Sequence, residues 1–177
     1  MNSEQSQKPV ADILIVDDTP INLRLLSSIL TRAGYEVRKA LNGETALIAA
    51  QSALPDVILL DIMMPEVDGY EVCQKLKNNP QTREIPIIFL SALDDVIDKV
   101  KAFKVGGVDY ITKPFHLEEV LIRIQNQLSL QAAEKEIHLL NTQLEIRVQE
   151  RTKQLEEANA KLLEMALHDS LTGLANR

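Results

Sequence analysis

The stretch ADILIVDD at 11–18 decides the fold of this chain, because an apolar run is closed there by two aspartates. Its apolar part, 11–16, is short and rich in Ile, Leu and Val, which is typical of a buried strand. Further short segments that we interpret as strands follow at 36–40, 57–60, 86–90 and 108–111. Between the runs, apolar residues recur at spacings of three and four, as in amphipathic helices. This alternation predicts an α/β fold with a five-stranded, doubly wound parallel sheet over residues 10–130.

Residues suited to helix starts stand at the junctions that this interpretation requires. Thr19 and Pro20 offer an N-cap and a proline in the first helical position. Asn42 comes just before the second predicted helix. Asp68 comes before the third, with Glu71 three residues later, as in a capping box. The predicted boundaries therefore agree with local helix-capping chemistry.

Charged side chains follow three of the predicted strands. Asp17 and Asp18 come after the first strand, Asp61 after the third and Lys113 after the fifth. Because the carboxyl ends of parallel strands line one crevice, we expect these groups to converge. Three carboxylates placed together repel one another unless a cation joins them. Oxygen ligands at a site that keeps several waters suit Mg²⁺, so the sequence predicts a magnesium and phosphate site.

One of these carboxylates can act as a nucleophile and form an acyl phosphate. Asp61 is the best candidate, because it ends the central strand and is followed by a loop that contains MMPEVDG (63–69). Lys113 would supply positive charge to the phosphoryl oxygens, and Ser91, at the end of the fourth strand, a hydroxyl. A phosphatase-type hydrolase, which also uses an aspartyl phosphate and Mg²⁺, is the alternative. Such enzymes typically carry the nucleophile on the first strand, which argues against that alternative.

Composition and charge limit the partners and the location that we expect for this chain. Its 177 residues carry a formal net charge of −7, with a pI near 5.0, whereas nucleic-acid binders usually carry a basic stripe. No apolar run approaches the ~18 residues that span a bilayer. Residues 1–9 are polar and are predicted to be disordered, and the lone Cys73 is expected to pack on a helix. We expect a cytoplasmic location and neither nucleic acid nor membrane as a partner.

The region after the predicted sheet has a different pattern. Residues 117–166 contain no proline and no glycine, which predicts one long helix, and fifty helical residues would extend about 75 Å. Within 131–167, residues at steps of three and four predict a parallel dimeric coiled coil that transmits a signal. The seam residues are Ile137, Leu140, Leu144, Val148, Arg151, Leu155, Ala158, Leu162 and Met165. Two successive steps of four form a stutter, which locally unwinds a supercoil. A solvated single helix and an antiparallel pair are the alternatives.

Four segments together resemble the receiver domain of two-component response regulators. They are IVDD (15–18), LLDIMMPEVDGYEVC (59–73), IIFLSAL (87–93) and DYITKPF (109–115). The resemblance covers about residues 10–130. It implies a flavodoxin-like sheet with strand order 2-1-3-4-5, and phosphorylation by a sensor histidine kinase.

The resemblance also implies a role for each residue of the site. Asp61 is the expected phosphoacceptor. Mg²⁺ is expected to bind Asp61 and Asp18 directly, Asp17 largely through water, and the backbone carbonyl of Met63.

Two further residues are expected to report the phosphorylation state. The resemblance implies that Ser91 and Tyr110 form a switch pair. The Ser91 hydroxyl would move to the phosphoryl group, and the ring of Tyr110 would turn inward. Lys113 is expected to contact the phosphoryl oxygens. The bond between Lys113 and Pro114 is expected to be cis, which only an X–Pro bond adopts readily.

The last residues, HDSLTGLANR (168–177), resemble the opening of a GGDEF domain, the catalytic domain of diguanylate cyclases. We interpret them as the truncated start of such a domain, from which no catalytic residue can be carried over. The chain is therefore interpreted as a non-enzymatic receiver that controls a cyclase through phosphorylation-dependent rearrangement of a homodimer. The dimer would form through the fifth helix and the coiled coil. The alternative is a scaffold for a degenerate GGDEF domain, or a phosphodiesterase output.

Overall fold

The computed structural model describes residues 10–92 and 96–167, apart from the side chains of 96–99. Five parallel strands form one sheet in the order β2-β1-β3-β4-β5. The strands are β1 (Asp12–Val16), β2 (Glu36–Ala40), β3 (Val57–Asp61), β4 (Ile87–Ser91) and β5 (Asp109–Thr112). The predicted five-stranded, doubly wound sheet and its flavodoxin-like order 2-1-3-4-5 are confirmed.

The sequence of each strand matches its place in the sheet. Every residue of β3 and β4 is buried, and both strands are continuous runs of Ile, Leu, Val and Phe up to one polar residue at the end. Strands covered by helices on both faces require such runs. By contrast, β2 lies at an edge and exposes Glu36 and Lys39. The polar residues that end β3 and β4 are Asp61 and Ser91, and both lie at the carboxyl ends of the strands.

Five helices follow the strands in turn. They are α1 (Pro20–Arg32), α2 (Gly43–Ser52), α3 (Gly69–Asn78), α4 (Val96–Lys104) and α5 (Leu117–Leu167). Two apolar clusters lie on opposite faces of the sheet. One includes buried residues of α2, α3 and α4, and the other includes buried residues of α1 and α5. The sheet is therefore packed on both faces, which leaves the edge at the strand ends for polar groups.

The helix starts agree with prediction except for one cap. Pro20 is the first residue of α1, and Asn42 accepts the N–H of Thr45 at the start of α2. Asp68 caps α3 by accepting the N–H of Glu71 at 2.8 Å. The prediction of a side-chain cap at Thr19 was wrong. Its hydroxyl donates instead to the carboxylate of the preceding residue, because the site acids compete for it.

The predicted long helix is present as α5, of 51 residues. The chain divides into two compact units between Ser129 and Leu130. In the first unit, Val120 and Ile124 of α5 are buried in the apolar cluster that contains α1. In the second unit, every residue from 132 to 167 is exposed, including its leucines and isoleucines. A helix with this much exposed apolar surface is typical of one that binds a partner.

Two of the remaining predictions concern the ends of the chain, and a third concerns membrane-spanning helices. The residues predicted to be disordered, 1–9, lie outside the described residues, as does the GGDEF-like segment at 168–177. Across the part of the chain that is described, no helix combines the length and the apolarity that a membrane span requires.

Cys73 lies on α3, fully buried in the apolar cluster on that face of the sheet. Its thiol donates a weak hydrogen bond to the carbonyl of Val105, with Sγ 3.4 Å from the oxygen. Burial raises the pKa of the thiol to about 11, although the nearby Lys77 lowers it somewhat. The reactive thiolate is therefore scarce at neutral pH.

We predict that Cys73 resists modification in the folded protein. A thiol pKa of about 11 lowers the thiolate fraction at pH 8 about 100-fold relative to an ordinary cysteine, and burial blocks access as well. Reaction with Ellman's reagent at pH 8 should therefore be at least ~100-fold slower in buffer than in concentrated urea. Similar rates in the two solvents would contradict this burial.

Candidate functional site

The charged residues predicted to converge do so at the carboxyl edge of the sheet. Asp17 directly follows β1, Asp61 is the last residue of β3, and Lys113 directly follows β5. One oxygen from each of Asp17, Asp18 and Asp61 can be chosen so that all three lie within 4.8 Å of one another. Three hard oxygen ligands this close together match what Mg²⁺ prefers in proteins, so the residues present fit this cation.

Asp17 is the most enclosed of the three acids and is fully buried. Its Oδ1 accepts the backbone N–H of Thr19 at 2.8 Å, and the Asn22 amide lies 3.0 Å from both carboxylate oxygens. Lys113 donates to Oδ2 at 2.9 Å. These donors hold the carboxylate in one orientation, since a buried anion is tolerated only when it is hydrogen-bonded and paired.

Lys113 bridges the first and third strands from its position after the fifth. Its Nζ lies 2.9 Å from Asp17 Oδ2 and 2.8 Å from Asp61 Oδ2. Burial by itself would lower the pKa of this ammonium group, but the hydrogen bonds to Asp61 and Asp17 outweigh burial and raise it. Lys113 therefore stays charged and offsets the repulsion between two buried carboxylates.

Asp61 is almost completely buried, with 2% of its surface exposed. Burial raises the pKa of its carboxyl group, Lys113 opposes that rise, and the negative charge of Asp17 adds to it. The backbone N–H of Met63 donates to Oδ1 at 3.3 Å. The anionic form of Asp61 thus depends on nearby positive charge, and additional positive charge at the site would stabilise it further.

The remaining predicted residues lie on the neighbouring strands. Ser91 ends β4, is 3% exposed, and its carbonyl accepts the N–H of Lys113 at 2.7 Å. Tyr110 lies on β5 beside Phe89 and is half-buried. The bond between Lys113 and Pro114 is cis, as the resemblance implied. The structure thus places Ser91 next to the backbone of Lys113.

The sequence pattern of the family described as response regulator receiver domain matches residues 13–125. The chain belongs to this family. It is 47% identical over 112 residues to the response regulator PleD of Caulobacter vibrioides, across 63% of this chain and 24% of PleD. It is 44% identical over 113 residues to RpaA of Synechocystis sp. PCC 6803, described as a DNA-binding dual master transcriptional regulator, across 64% of this chain and 47% of RpaA. The matched region thus covers about a quarter of the length of PleD and about half of the length of RpaA.

A solved structure with the same receiver fold bears on the acid cluster. It is the receiver domain of sensor histidine kinase PA1611 from Pseudomonas aeruginosa PAO1, described as having a magnesium ion coordinated in its active site cleft. The match has a TM-score of 0.63 and 30% identity, and it covers 67% of this chain and 98% of that one.

Sequence reasoning missed several residues that surround the receiver site. Asn22 and Thr19 hold Asp17, yet in the sequence they have the pattern of ordinary residues at a helix start. Arg123 and Phe103 contact the ring of Tyr110. Only Arg123 carried a sequence signal, since it lies four residues after Glu119 on the same helix, a spacing typical of ion pairs.

Gly69 allows α3 to begin directly against the end of β3. Its N–H donates to the carbonyl of Ile62 at 2.9 Å. A Cβ atom at this position would overlap the backbone carbonyl of Asp61 and lie 2.9 Å from Cα of Ile62. The absence of a side chain therefore helps to set where the backbone of Asp61 lies.

We predict that Gly69→Ala destabilises the receiver domain by about 1–3 kcal/mol, because the added methyl group meets backbone that cannot move aside. Gly43→Ala is the matched control, since its methyl group would meet the side chain of Val72 instead. Urea unfolding followed by circular dichroism measures both changes. An equal or larger loss of stability for Gly43→Ala would contradict the role given to the backbone contact.

Proposed function

We propose that this receiver domain accepts a phosphoryl group on Asp61 from a sensor histidine kinase. A carboxylate oxygen of Asp61 attacks phosphorus as the bond to the donor histidine nitrogen breaks, and the nitrogen keeps the electron pair. The observation that carries the proposal is the position of Asp61, buried at the end of the central strand with the Lys113 ammonium 2.8 Å away. That ammonium can contact the phosphoryl oxygens once they arrive.

The same proposal assigns a magnesium site. Asp18 and Asp61 would bind the cation directly, Asp17 would bind it largely through water, and the backbone carbonyl of Met63 would be a further ligand. The acid cluster supports this assignment, as does the magnesium ion named for the PA1611 receiver domain. The cation would supply positive charge that neutralises the phosphoryl oxygens. Asp18, the half-buried member of the cluster, is the most open of the three acids to solvent.

Ser91 and Tyr110 are proposed to transmit the state of Asp61. The Ser91 hydroxyl would donate to a phosphoryl oxygen, and the ring of Tyr110 would then turn inward. The backbone hydrogen bond between Ser91 and Lys113 supports a shared site, because Ser91 ends β4 and Lys113 follows the neighbouring β5 in fixed register.

Phosphorylation with acetyl phosphate and Mg²⁺ tests the assignment. We expect one phosphoryl group per chain, located on Asp61 by mass spectrometry after borohydride trapping, and none in Asp61→Asn. Asp18→Asn should slow the reaction at least about tenfold, because a carboxylate ligand is lost. Asp68→Asn is the matched control, since it lies outside the cluster and asparagine also caps a helix. Phosphate on Asp17 or Asp18 would overturn the proposal in favour of a phosphatase-type hydrolase.

We further propose that the output of the whole protein is a diguanylate cyclase. The GGDEF-like residues at 168–177 support this output, and PleD is among the relatives of the receiver domain. RpaA favours a second candidate, a transcriptional output, because the receiver domain is nearly as similar to it. A scaffold built on a degenerate GGDEF domain and a phosphodiesterase are two further candidate outputs. Assaying the full-length protein for conversion of GTP to cyclic di-GMP distinguishes a cyclase from the rest.

We propose residues 10–130 as the receiver domain and residues 131–167 as a coiled coil. A homodimer would form through this coiled coil and through the face of α5 within the receiver domain. The large apolar seam residues of this segment, from Ile137 to Met165, are between 55% and 73% exposed in the single chain. Pairing with a second copy would bury them, which supports the dimer. Because a cyclase must bring two GTP-bound domains together, a change in dimer geometry would control it.

Binding of beryllofluoride, a phosphoryl mimic, should tighten this dimer when Mg²⁺ is present. We predict that Leu155→Lys weakens dimerisation at least about tenfold, because it removes a seam leucine. Leu139→Lys is the matched control, since Leu139 is about as exposed as Leu155 but lies off the seam. Sedimentation equilibrium measures both dissociation constants. Equal effects of the two substitutions, or a monomer in every condition, would argue against the coiled-coil dimer.

A further inference from the structure

Arg123 of α5 forms a network of ion pairs with two acidic residues. Its Nη1 lies 2.7 Å from Oδ1 of Asp109, on β5. Its Nε and Nη2 both lie 2.9 Å from Oε1 of Glu119, one turn earlier on α5. All three side chains are only partly exposed, at 30%, 19% and 30% for Arg123, Asp109 and Glu119. The network therefore joins the last strand to the first turns of α5.

The same guanidinium group lies over the ring of Tyr110. Its Cζ is 5.6 Å from the ring centre, within the range of cation–π attraction. Phe103 of α4 contacts the ring edge-on, with ring centres 6.3 Å apart. The Tyr110 N–H donates to Oδ1 of Asp109 at 2.8 Å, which is the oxygen that also accepts Arg123. One acidic oxygen thus fixes both the backbone of Tyr110 and the cation above its ring.

An arginine suits this place better than a lysine would. Its planar guanidinium can donate to two carboxylates from its edge while its face stacks on an aromatic ring. The hydrogen bond to Asp109 is the main cause that raises the pKa of Arg123, with Glu119 contributing in the same direction. The cation is therefore held in position by its own partners, independently of Tyr110.

We propose that Arg123 is a positioning residue that holds the ring of Tyr110 in the arrangement described above and links its movement to α5. The inference rests on the proposed switch role of Tyr110. A contact biases a two-state equilibrium only when it differs between the states. If the ring turns away on phosphorylation, it leaves the guanidinium, so the contact favours the unphosphorylated state and opposes activation.

Fluorine NMR of the full 177-residue chain labelled with 3-fluorotyrosine tests this role. The chain has three tyrosines, so Tyr35→Phe and Tyr70→Phe variants assign the signal of Tyr110. Titration with beryllofluoride at fixed Mg²⁺ gives the midpoint of the conversion. We expect Arg123→Gln to lower this midpoint about two- to fivefold, the range expected for a partly exposed cation–π contact. The Tyr110 signal without beryllofluoride should also shift towards its bound position.

Three variants separate ring positioning from general effects of charge and folding. Arg147→Gln removes the same charge from an exposed position of α5 and should leave the midpoint unchanged. Glu119→Gln removes one partner of Arg123 but leaves Asp109 and the ring, so its effect should be smaller. Arg123→Lys keeps the charge and should lower the midpoint by less than Arg123→Gln, which preserves the test if the glutamine variant does not fold.

The outcomes distinguish this inference from the proposed function. A parent chain whose Tyr110 signal does not respond to beryllofluoride and Mg²⁺ would overturn the switch role of Tyr110 and this inference with it. A normal response in the parent, with midpoints for Arg123→Gln and Arg123→Lys equal to or above that of Arg147→Gln, would overturn the inference alone.

Discussion

The ion pairs of Lys113 with Asp17 and Asp61 are the interaction on which the site depends. Two carboxylates with almost no solvent exposure stand at the ends of strands separated in sequence by a helix–strand–helix segment. Burial raises the pKa of the Asp61 carboxyl group, the negative charge of Asp17 adds to that rise, and Lys113 opposes it. One ammonium group, 2.9 Å from one acid and 2.8 Å from the other, offsets part of the repulsion between them. Positive charge at this point therefore stabilises the anionic form of Asp61.

Packing around the sheet fixes the positions of the residues that form these ion pairs. Its central strands are buried on both faces, so side-chain packing from two apolar clusters restrains the strand ends. The close approach of Gly69 to the backbone after Asp61 restrains that end further. Asp17 is in turn held by Asn22 and the backbone of Thr19. Each charged group at the edge is thus positioned by neighbours that take no part in its chemistry.

A second group of charged residues, Asp109, Glu119 and Arg123, lies at the contact between β5 and α5. Asp109 and Arg123 flank Tyr110, so the group proposed to move is bounded by an ion pair between a strand and a helix. In the second unit the helix carries apolar residues that are exposed in the single chain. Both features involve α5, Leu117–Leu167.

The sequence by itself determined the sheet, its parallel topology, the long helix and the convergence of the acids with Lys113. These features depend on short-range patterns: apolar runs, helical spacing and polar residues at strand ends, which a parallel sheet must bring to one edge. Only the tertiary structure decided which partners each side chain chooses. The hydroxyl of Thr19 contacts Asp18 rather than capping α1, and Arg123 contacts Asp109 and Tyr110. The contacts of Arg123 depend on how α5 packs against the sheet, because a rotation of one residue position would present a different side chain to the same site.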